Sequence, residues 1–135
     1  MIHQKDLRLG DLVQITVDLP EYKQGDIFVV IDISEIYIGL RSPSESDCRQ
    51  DLYTIRDHIE GIRLTPDILE KNGWEQEYYA PIIYGHIGHD IEISFLQTSK
   101  RCSVLLNDIS LCEIQYVHQL QHILWALGED ANLKI

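Results

Sequence analysis

The sequence predicts an α+β fold: a small β-barrel-like lobe, a short connector helix, and an antiparallel β-meander covered by a C-terminal helix. Three observations predict it. Apolar residues alternate with period two in residues 12–17 and 35–40 and again through 89–97. A capped helix start stands at 64–74. The run from Ile114 to Leu127 carries an apolar stripe of helical period.

The elements follow in order. In LVQITV (12–17), Val13, Ile15 and Val17 share one side and Gln14 and Thr16 the other, the pattern of a half-buried strand. DIFVVIDI (26–33) is apolar on both faces and rich in β-branched residues, as a central strand requires. EIYIGL (35–40) alternates again, and Ser34 leaves room only for a tight hairpin near Asp32 to Glu35. SPSESDCRQ (42–50) is a polar loop, and LYTI and GIRL supply short closing strands. In LTPDILEKNGW (64–74), Thr65 is the cap, Pro66 fits the first helical position, Asp67 and Lys71 complement the two ends, and Gly73 is the stop. EYYAPIIYG (77–85), HDIEISFLQ (89–97) and RCSVLLND (101–108) form the meander, turning through TSK. Tyr116, Val117, Leu120, Ile123, Leu124 and Leu127 make the covering stripe of a helix over 114–127, Gly128 ends it, and ANLKI is expected to return as a strand. The expected division is residues 1–64 and 65–135, packed as one unit.

Composition bounds the function. The chain has 135 residues, 44% of them hydrophobic, enough for one domain-sized core. A net charge of −11 repels phosphate backbones, which argues against bulk nucleic-acid binding and leaves room for an acidic face that docks a basic partner. Cys48, Cys102 and Cys112 form no CxxC pair, and no apolar leader or run of about 20 apolar residues stands out, so a soluble cytosolic protein with reduced thiols is expected.

No nucleophile elbow, HExxH, phosphate loop or dinucleotide fingerprint is present, and the neighbours Asp57/His58 and His89/Asp90 need not converge. No catalytic residue, cofactor or metal is assigned. HQLQH (118–122) sets His118 and His122 one turn apart, the spacing of a metal pair, with His86, His89 and Asp90 of GHIGHD as candidate further ligands. The alternative is that His118 and Gln121 are hydrogen-bonded at the helix margin, tying helix to sheet. His118, Gln121 and Trp125 lie together on the wheel, a ledge able to hydrogen-bond and stack a planar ligand. Lys100 and Arg101 make a local basic tip at the TSKR turn, and Trp74 opens the densest aromatic stretch. Those six residues are the candidate ligand-binding set.

LRLGDLV, GIRLTPDILEKNGW, and QYVHQLQHILWALG with LKI also carry a family resemblance. Together they resemble an uncharacterised family of small proteins encoded by phages and prophages of Bacteroidales bacteria. Its members show an LT-x-x-x-L-x-x-x-G-F/W helix and a C-terminal YVH-x-LQN helix. Position 122 here is His where that pattern has Asn, so a two-histidine metal site would be peculiar to this chain. The resemblance implies an accessory role in the host cytosol, such as countering defence, and supplies no catalytic residues. The expected function is binding: sequestering a nucleotide-type immune signal, in a pocket formed where copies pair in a homo-oligomer, or blocking a host defence protein. The alternatives are an acidic interaction module without a small ligand, and a histidine-based metal enzyme.

Overall fold

The computed structural model describes residues 2, 6–44, 46–47, 49–79, 81–96 and 100–135. The fold is α+β, and the chain divides into two compact units, Met1–Ile62 and Arg63–Ile135.

The first unit is an antiparallel sheet of β1 (Leu12–Ile15), β2 (Ile27–Ile33), β3 (Ile38–Arg41), β4 (Leu52–Thr54) and β5 (Ile59–Gly61), in the order β4-β3-β2-β1-β5. Strands β4 and β5 are the two edges, yet only residues 55–58 join them, three of those in the 3₁₀ turn Arg56–His58. Such a link reaches roughly 13 Å, whereas five flat strands span roughly 19 Å between outer axes. The sheet must therefore curl, which gives the barrel-like form, although no ladder pairs β4 with β5 among the described strands. Val13, Ile15, Phe28, Val30, Ile38, Leu40 and Ile59 fill its inside, with Ile2, Leu7 and Tyr22. The β2–β3 connection is a four-residue turn closed by Ser34 N–H to Tyr37 O, so β3 begins at Ile38, three residues later than EIYIGL predicts. A register shift between Val30 and Asp32 bends β2, and Gly39 lies opposite Asp32; a Cβ there would sit 2.9 Å from Asp32 Cβ and from Tyr53 Cε1.

The second unit holds α1 (Pro66–Lys71), the meander β6 (Glu75–Tyr79), β7 (Ile82–Gly85), β8 (Ile91–Phe95), β9 (Cys102–Leu106) and β10 (Ile109–Ile114), and α2 (Val117–Ala126). Helix α1 starts as predicted, with Thr65 Oγ1 accepting the Ile68 N–H, and Gly73 takes the left-handed conformation after it. Four readings need correction. Residues 77–85 are not one strand: the chain turns at Pro81, which cannot donate to a ladder, and β6 and β7 pair antiparallel. Residues 109–114 form a strand, because Asn107 and Asp108 both take positive φ and close a tight hairpin with β9. Helix α2 therefore starts at Val117, where Gln119 Oε1 reaches back to the N–H groups of Gln115 and Tyr116. ANLKI adds no strand; Asn72 holds it by bonding both the N–H and the C=O of Lys134.

The fourth correction concerns the face of α2. Val117, His118, Leu120, Gln121 and Leu124 are buried, while Ile123 is half-buried and Leu127 is 42% exposed. The buried face is thus rotated from the purely apolar stripe toward HQLQH. Leu120, Leu124 and Val117 are sealed from solvent, as are Ile91, Ile93 and Val104 on the inward face of the meander.

Candidate functional site

The second unit carries a cavity of about 430 Å3, within the usual range of small-molecule sites. Its wall is assembled from three segments: Asn72 and Trp74 after α1, His86, Gly88 and His89 in the β7–β8 turn, and Gly128, Glu129, Asp130, Asn132 and Leu133 after α2.

Each wall residue is held by local chemistry. Gly128 takes φ +72° and ends α2, and Glu129 N–H bonds back to Leu124 O, so Glu129 leaves the helix in a fixed direction. Its Oε2 lies 2.7 Å from His89 Nδ1, and both atoms are shut from solvent. The contact joins the β7–β8 turn to the end of α2. His86 Nδ1 accepts the Gly88 N–H at 2.8 Å, which places the hydrogen of the neutral ring on Nε2. Gly73 and Gly88 cradle this ring; a Cβ at Gly73 would come within 3.0 Å of His86 Nε2. Gly88 of GHIGHD is thus explained by a histidine folded over its own turn.

Trp74 forms the floor. Its ring stacks on His89 at 5.3 Å and tilts against His86 at 5.5 Å, and the two imidazoles are 4.5 Å apart. It is only 2% exposed, and its Nε1 has no hydrogen-bond partner. A buried N–H left unpaired costs about 1–3 kcal/mol, a feature concentrated at functional positions. Asp130 Oδ1 accepts the Asn132 N–H at 2.9 Å, so that carboxylate is also oriented.

Of the six residues the sequence singles out, only Trp74 lines this cavity. Lys100 is exposed, and Arg101 faces Glu113 at 3.7 Å; Thr98 and Ser99 of the same turn lie outside the described residues. His118 and Gln121 are buried, with Gln121 Nε2 donating to Ala131 O, so the ledge at the helix margin is an interior feature. Trp125 is half-buried and stacks on His122 at 5.9 Å. No three His, Cys, Asp or Glu among the described residues converge as metal ligands.

Sequence reasoning missed Glu129 and Asp130 at the cavity and a second acidic feature outside it. The Glu77 carboxylate lies over Gly85, where a side chain would collide with it, and is hydrogen-bonded to Glu92 across β7. That hydrogen bond, then burial, then repulsion from Glu77 and Asp108 hold the Glu92 carboxyl above its ordinary value. The signal was available only as register: Glu92 pairs with Gly85, which in turn pairs with Glu75 beside the β6 bulge.

The first unit has its own cleft of about 390 Å3, flanked by Arg41 and Arg49. Both are engaged: Arg41 forks onto Asp51, and Arg49 bonds Asp47 and Glu21 O and lies 4.3 Å over the Tyr22 ring. The Arg49 hydrogen bonds hold the Asp47 carboxyl well below the usual range, and Arg41 lowers Asp51. No helix among the described residues is long and apolar enough to cross a membrane. The chain matches no family model, no curated protein and no solved structure.

Proposed function

We propose that the protein acts by binding rather than catalysis, as a phage-encoded accessory protein of the bacterial cytosol that counters host defence by sequestering a nucleotide-type signal. The observation that supports binding is the second-unit cavity, where two imidazoles backed by the buried Trp74 indole and two carboxylates converge. Planar recognition needs this combination, stacking surface with a few fixed polar groups. The phage setting rests on the resemblance of the helix motifs. Mass spectrometry of the supernatant from heat-denatured purified protein should reveal a co-purified nucleotide or nucleoside, and a nucleotide panel should raise Tm. An empty supernatant together with an unmoved Tm would sink the sequestering role.

A second reading, docking on a host defence protein, is favoured by β10. It is an edge strand whose Ile109 and Leu111 are 67% and 51% exposed, and an open strand edge can accept a partner's strand. A stoichiometric partner recovered from host lysate at low salt, and lost on L111K, would favour it over the first.

A further inference from the structure

We infer that the cavity recognises an amino-substituted planar nitrogen heterocycle, the base end of its ligand, and that any phosphate stays outside. This rests on the reading of the cavity as the binding site and names what enters it. Three features of the wall put the same sign of potential there. Glu129 and Asp130 contribute carboxylates, and no lysine or arginine is among the described lining residues. Gly128 marks the C-terminal end of α2, so the negative end of that helix dipole lies at the same wall. A phosphate entering would meet two anions and a helix terminus of like sign. An exocyclic amino group or a ring N–H meets acceptors instead.

The acceptor is specific. Asp130 uses Oδ1 on Asn132 N–H and keeps Oδ2 for a ligand. The neutral His86 presents the complementary donor from Nε2, since its Nδ1 is occupied by Gly88 N–H. An acceptor on Asp130 beside a donor on His86 matches the edge of an aminopyrimidine or aminopurine, which pairs an amino donor with a ring-nitrogen acceptor. The oxo-substituted rings of uracil and hypoxanthine put an acceptor where the amino donor should be. Loss of a hydrogen bond to a charged acceptor lowers affinity by about tenfold or more.

The test uses the intact chain carrying W125F, which leaves Trp74 as the single tryptophan and so the reporter at the cavity floor. Trp74 emission is titrated with adenosine, cytidine, uridine, inosine and AMP at low salt. Adenosine or cytidine should quench it with an affinity at least about tenfold above its oxo counterpart, and AMP should bind no tighter than adenosine. D130N keeps the Asn132 contact and the turn but removes the charge, and should weaken the amino ligand by about tenfold. Uridine matching cytidine, AMP binding about tenfold tighter than adenosine, or an unchanged D130N would each overturn the base-end assignment while leaving the cavity a binding site. No response to any of the five would overturn the cavity reading as well.

Discussion

The cleft of the first unit and the cavity of the second are similar in volume, about 390 and 430 Å3, but their polar groups are in different states. In the first, each arginine is matched by an aspartate in fork geometry, and Arg49 adds a carbonyl and an aromatic face. These contacts tie the ends of the 42–50 loop to Tyr22 and β3, so the charges serve the fold. In the second, the indole N–H of Trp74 is unpaired, and Glu129 and His89 have only each other. Cationic side chains in a concave surface are therefore a poor guide to the ligand site in this chain. The unsatisfied groups beside the cavity are the better one, because buried polar groups without partners gather at functional positions.

The sharpest way to break that comparison is at Trp74. W74A should cost about 3–5 kcal/mol in urea unfolding, the range for a fully buried aromatic. W74F keeps most of the ring volume and deletes the unpaired donor, so its cost should fall below about 1.5 kcal/mol. If W74F is as damaging as W74A, the N–H has a partner and the contrast between the units collapses. Next in size is the pair beside it. H89A strips Glu129 of its partner and Trp74 of its stacked ring and should cost about 1–3 kcal/mol. E129Q keeps the packing of the contact but removes the charge and should cost under about 1 kcal/mol; losses equal to those of H89A would mean that the charge holds the turn to α2.

A smaller effect separates the edge of the second unit from its core. Burial pushes the Cys102 thiol up to about 11, whereas Cys112 on the edge strand is exposed and raised less. In a C48S background, a maleimide at pH 7.5 should label Cys112 first, and Cys102 only as fast as the second unit opens. Equal labelling of both thiols in the folded protein would show that β9 is not sealed.

Much of the fold was legible because it follows from local rules. Thr65-Pro66 fixes the start of α1, alternation locates β1 and β8, and β-branched residues mark β2 as central. What failed depended on context. Pro81 splits a stretch whose apolar content looked continuous, and the positive φ of Asn107 and Asp108 creates a hairpin that moves the start of α2 by three residues. The helix wheel ranks residues by apolarity, so it placed His118 and Gln121 at a margin; hydrogen bonding lets Gln121 be buried with Leu120. The site was least legible. Trp74 was visible as an aromatic, but Glu129 and Asp130 joined it only because Gly128 turns the chain back.

The smallest expected effect is also the one with opposite signs in the two units. Asp47 and Asp51 have folded pKa values below the unfolded one, so their contribution is complete above the ordinary carboxylate value near 4 and is lost as pH falls through the folded values. Glu92 has a raised folded pKa, so its contribution is complete below that ordinary range and is lost as pH rises through the folded value. As pH falls from neutrality through the raised Glu92 value, the second unit should gain stability while the first stays level; below about pH 4 the first should lose it. Trp74 and Trp125 are the only tryptophans and both belong to the second unit, so their emission follows that unit alone, while far-ultraviolet circular dichroism follows both. E92Q removes the shared proton and should flatten the gain, by less than about 1 kcal/mol for so exposed a pair. D47N should instead shrink the acid loss seen only by dichroism. If E92Q leaves the tryptophan-detected gain intact, the proton is taken up elsewhere in the second unit, and the Glu77–Glu92 contact over Gly85 is not what sets its sign.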